Sequence, residues 1–84
     1  MLKFIWVIKL KYRIRDLRED SDLSQRQIAE ELNIHQTTYS DYELGNLNVP
    51  VSVLWRLADF YGTSIDYLVG KTDVKEPYPK SDDK

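Results

Sequence analysis

The sequence predicts an all-α domain of five short helices, and three observations predict it. Apolar residues between positions 10 and 70 recur at helical spacing and do not alternate as a strand would. Helix punctuation is dense: Ser24, Pro50 and Ser64 suit starts, and Asn33, Gly45, Gly62 and Gly70 suit stops. Between the second and third periodic segments only Asn33–His35 intervene, which leaves room for a tight turn between neighbouring helices.

The first helix is read in "LKYRIRDLRED", where Leu10, Ile14 and Leu17 share a face and Arg13, Arg15 and Arg18 form a solvated one. The second is "LSQRQIAEEL". Ser24 and Gln27 fit a capping box, Ile28, Ala29 and Leu32 make the apolar stripe, and Asn33 tolerates the left-handed turn that ends it. The third is "HQTTYSDYELG". At about 100° per residue, Gln36, Thr37, Ser40 and Asp41 fall on one face and Thr38, Tyr39 and Tyr42 on the other. The tyrosines are read as core. The fourth begins near Pro50, as a first helical position, and runs through Leu54, Leu57, Ala58 and Tyr61 to Gly62. The fifth is "SIDYLV", capped by Ser64 and stopped by Gly70.

This core, residues 10–70, is flanked on both sides. Residues 71–84, "KTDVKEPYPKSDDK", are polar and charge-mixed and read as a mobile tail. Residues 1–9, "MLKFIWVIK", form an apolar extension, either a strand or a prolongation of the first helix. The run is too short to cross a bilayer and lacks the small-residue cleavage site of a signal peptide, so no membrane partner is expected. The extension has three readings: packing on its own domain, self-association through Phe4, Trp6 and Ile8, or an accident of start-site choice.

At 84 residues the chain is one domain, with a core too small for a deep active site. It has no cysteine, which excludes disulfides and thiolate chemistry and favours a cytoplasmic location. Its single histidine, His35, has no partner spaced for metal or acid–base work and reads as a turn residue. Ser64 and Asp66 read as capping residues. Neither an enzyme nor a cofactor is expected. The net charge is −2, and residues 11–70 hold six Lys/Arg against ten Asp/Glu. That balance argues against nucleic-acid binding by bulk charge, but not against a local contact face.

Several signals keep a shared spacing: "SQ" opening the second helix, Ala29 within it, "YSDYELG" ending the third, Pro50, and "GTSIDYLVG" ending at Gly70. With these, residues 10–70 resemble the phage Cro/repressor-type helix-turn-helix family (XRE family). The resemblance implies a five-helix, repressor-like DNA-binding domain, with the helix-turn-helix at helices two and three and the third helix in the major groove of double-stranded DNA. It implies base contacts from Gln36, whose amide matches adenine N6 and N7, and from Thr37 on a thymine methyl, with Ser40 and Asp41 as the next outward positions. It implies phosphate contacts from Gln25, with Arg26 supplying a cation and Asn46 and Asn48 in the loop that meets the backbone. Two features depart from the family: the loop "NLNVP" carries no Lys or Arg, and Asp41 is acidic where a neutral or basic residue is more usual.

The function expected is a sequence-specific DNA-binding transcriptional regulator, a repressor acting as a homodimer on paired half-sites. The alternative is a protein-interaction module on the same fold, of antitoxin or antirepressor type, with a protein partner and DNA binding secondary. The acidic balance and the apolar extension motivate that alternative.

Overall fold

The computed structural model describes residues 12–79. The extension 1–9, with Phe4, Trp6 and Ile8, lies outside these residues. Five helices follow in order: α1 (Ile14–Asp20), α2 (Gln25–Leu32), α3 (Gln36–Leu44), α4 (Val51–Tyr61) and α5 (Ile65–Leu68). Among the described residues there is no strand, and no helix is long and apolar enough to cross a membrane.

Each helix end has an identifiable cause. Ser24 and Gln27 form the expected capping box: the Gln27 amide donates to Ser24 Oγ at 3.0 Å, and the Ser24 amide donates to Gln27 Oε1 at 2.8 Å. Ser24 thereby fixes where α2 begins. At its other end Asn33 is left-handed (φ 59), the Ile34 amide reaches the Ala29 carbonyl at 3.0 Å, and the Asn33 amide reaches Glu30 at 3.1 Å. This paired arrangement is the Schellman motif. It recurs at Gly45, Gly62 and Gly70, which also lie at positive φ. Pro50 departs slightly from expectation. With φ −61 and ψ 152 it is the extended cap itself, and Val51 is the first helical residue. Its ring needs no donor there, because its carbonyl accepts from Val53 and Leu54.

The core joins Ile14 and Leu17 of α1, Ile28, Ala29 and Leu32 of α2, Tyr39 and Tyr42 of α3, four residues of α4 and Leu68 of α5. The spacing-based assignment of both tyrosines to the core holds: Tyr39 is fully buried and Tyr42 nearly so. The chain ends of the bundle are stitched together by the Arg13 amide, which donates to the Leu68 carbonyl at 2.9 Å.

The arginine row of α1 is not a uniform solvated face. Only Arg15 is open, paired with Glu19 one turn on. Arg13 lies over the Tyr67 ring, 4.3 Å from its centroid, and pairs with Asp73. Arg18 is turned inward. Residues 71–79 form no regular element, yet several touch the body. Thr63 Oγ1 donates to the Lys75 carbonyl at 2.6 Å, and the Tyr78 hydroxyl donates to Asp66 at 2.6 Å.

Candidate nucleic-acid interface

The site is the outward surface of α3 with the ends of the elements around it. α3 is held from below by its tyrosines and by Glu43. The residue four positions after a buried one returns to the same side of a helix, so Glu43 follows Tyr39 into the body. Its side chain is 3% exposed. It accepts from Arg18 Nε at 2.7 Å and Arg18 Nη2 at 3.2 Å, from Gln25 Nε2 at 2.9 Å and from the Tyr39 hydroxyl at 2.5 Å. One carboxylate therefore fixes α1, α2 and α3 relative to each other. Burial alone would raise the Glu43 carboxyl, but the donors from Arg18, Tyr39 and Gln25 outweigh it and hold it below the usual range. The same burial, with the Glu43 bond, pushes the Tyr39 hydroxyl far upward, so it stays a proton donor.

Glu43 explains half of the acidic character of α3, since that charge points into the protein. The rest is Asp41. Its Oδ1 accepts from Asn46 Nδ2 at 3.2 Å, and its carbonyl accepts from the Asn46 amide at 2.9 Å. Asp41 thus shapes the loop that leaves α3, and Asn46 is drawn back toward the helix.

The outward face is led by Gln36 and Thr37, both exposed in the first turn, with Ser40 and Asp41 half-buried behind them. The turn before α3, with Asn33 left-handed and His35 extended, sets the entry angle of that first turn. Among the phosphate candidates, Gln25 is half-buried with one amide hydrogen on Glu43, and its second hydrogen is not used in that bond. Arg26 is exposed beside Glu30 at 3.4 Å, a pair too open to hold it firmly. Asn46 and Asn48 are exposed in the α3–α4 loop.

Sequence reasoning missed three residues that build this surface. The spacing assigns Arg18 to a solvated face and gives Glu43 no role. The signal that locates them is position: Glu43 lies one turn after Tyr39, and Arg18 follows buried Leu17. Arg56 was also missed. It reaches from α4 to the end of α2, donating to the Leu32 carbonyl at 2.7 Å and the Glu31 carbonyl at 3.0 Å. A cation on terminal carbonyls also complements the helix dipole there.

Comparison with known proteins bears on the helix-turn-helix fold. A family model described as helix-turn-helix matches residues 14–68. An uncharacterized HTH-type transcriptional regulator, YobD of Bacillus subtilis, is 38% identical over 65 residues, covering 77% of this chain and 58% of the relative. The HTH-type transcriptional regulator ImmR of the same organism is 32% identical over 69 residues, covering 82% and 54%. The cryptic phage CTXphi transcriptional repressor RstR of Vibrio cholerae is 36% identical over 62 residues, covering 74% and 56%. The chain thus spans a little over half the length of these relatives. A comparison with solved structures returned no significant match.

Proposed function

The chain belongs to the helix-turn-helix family, of the Cro/XRE type, and from that premise we propose that it is a sequence-specific DNA-binding transcriptional regulator that represses by occupying a promoter. The observation that carries this reading is the division of α3. Tyr39, Tyr42 and Glu43 are turned inward, which leaves Gln36 and Thr37 exposed at the leading end.

In this reading α3 enters the major groove. Gln36 pairs with adenine, Thr37 packs on a thymine methyl, Ser40 follows, and Asp41 offers its free oxygen, Oδ2, to cytosine N4. Gln25, Arg26, Asn46 and Asn48 position the domain on phosphates without reading sequence. Two copies related by a two-fold axis bind half-sites about one helical turn apart, and the protein acts in the cytoplasm. Such a regulator needs no cofactor and does no chemistry on its DNA.

The test is selection of bound duplexes from a random pool at two salt concentrations. An enriched palindrome supports a dimeric reader. No enrichment by a folded protein would remove this reading and favour a protein partner.

A further inference from the structure

We propose that the apolar segment of residues 1–9 docks on its own domain, covering the outer face of α4 around Val51 and Trp55. The face is conspicuous. Val51 is 68% exposed and Trp55 62%, one helical turn apart on the same side, and Leu47 in the preceding loop is 45% exposed. Trp55 also forms one wall of a groove of about 370 Å³ whose other walls include Ile65, Pro77 and Tyr78. An open apolar surface of this kind marks a contact that the described residues do not make.

Where the described chain begins identifies the occupant. The Tyr12 hydroxyl accepts from the Val49 amide at 3.0 Å, and the next residue, Arg13, is bonded to Leu68. Tyr12, the first described residue, is therefore held between the end of α5 and the loop that enters α4, with its side chain reaching to within two residues of Val51. Residues 1–11 can span roughly 36–40 Å when extended, about twice the roughly 16 Å length of the 11-residue α4. In extended form Leu2, Phe4, Trp6 and Ile8 share one side, about 6.6 Å apart. That interval is close to the roughly 6 Å between residues one turn apart on a helix. Charge agrees as well: the segment carries Lys3 and Lys9, and Asp59 and Asp66 line the groove. A tether this short gives the segment a high local concentration at its own α4, which a second copy must match through bulk concentration. The short tether from Tyr12 favours packing on the same chain over self-association through Phe4, Trp6 and Ile8.

The chain has two tryptophans, Trp6 and Trp55, so Trp6→Phe leaves Trp55 as the only indole reporter. In the full-length Trp6→Phe protein, Trp55 emission should be shielded from acrylamide at monomer mass and independent of concentration. Adding Phe4→Asp and Ile8→Asp should raise quenching several-fold with unchanged helical circular dichroism. Should those changes disturb folding, Val51→Glu, at an exposed site, should give the same rise in the intact chain. Equal quenching with and without the substitutions would overturn the proposal. So would shielding found only in a species of twice the mass, which would assign the face to a second copy.

Discussion

The Arg18 guanidinium and the Glu43 carboxylate meet at 2.7 Å inside the protein, 12% and 3% exposed, although they stand on different helices and 25 positions apart. Removing one partner leaves the other charge buried without compensation. Glu43→Ala is therefore expected to cost about 3–5 kcal/mol in urea unfolding. Arg18→Met combined with Glu43→Met should cost clearly less than the sum of the single changes, because neither charge is then stranded. Additive losses would show that the pair is not coupled.

The same carboxylate sets an acid limit. Its folded value lies below its ordinary 4.5, so its contribution to stability is complete above that pH. The contribution is lost as pH falls from about 4.5 through the lowered folded value. Thermal unfolding of the wild type and Glu43→Gln between neutral and strongly acid pH should show a stability gap that closes over that window. A gap that stays constant there would remove Glu43 as the titrating group.

Tyr61 offers the opposite case. Its hydroxyl is buried and, among the described residues, has no hydrogen-bond partner. Burial pushes it up to about 12. A polar atom without a partner costs free energy, so deleting it removes a penalty and little else. Tyr61→Phe should unfold at equal or higher denaturant concentration than the wild type. A loss above about 1 kcal/mol, the usual net worth of one hydrogen bond, would mean that the hydroxyl has a partner.

Helix ends were legible in the sequence because local chemistry decides them. Ser24, Asn33, Gly45, Gly62 and Ser64 cap where their types suggest, since each acts on amides or carbonyls within a few residues. Arg18, Glu43 and Arg56 were not legible in the same way. Their roles depend on which helices meet, and a charge on a helix looks the same in sequence whether it faces water or a partner 25 positions away. The contacts of Arg13 with Tyr67 and Asp73 escaped for the same reason, as did those of Thr63 with the Lys75 carbonyl. The outward face of α3 was readable by elimination: once Tyr39 and Tyr42 are assigned inward, Gln36 and Thr37 have only one direction left.

That outward face makes a final prediction about both specificity and salt. Gln36 is exposed and, among the described residues, makes none of the side-chain bonds that hold the core, so Gln36→Ala should leave unfolding unchanged. On the selected DNA site it should remove about 1–3 kcal/mol of discrimination at one base pair, the worth of one bidentate contact. Arg26→Ala should act differently. It is the one cation in the proposed phosphate set, so affinity should fall by a similar factor on every sequence, with the ranking of sites unchanged. The intact protein should have a salt slope of only about −1 per subunit, and Arg26→Ala should flatten it further. Binding curves on matched and mismatched duplexes at several salt concentrations measure both effects together. A steep slope that Arg26→Ala leaves intact would place the phosphate contacts elsewhere, and a Gln36→Ala protein that keeps its base preference would take α3 out of the groove.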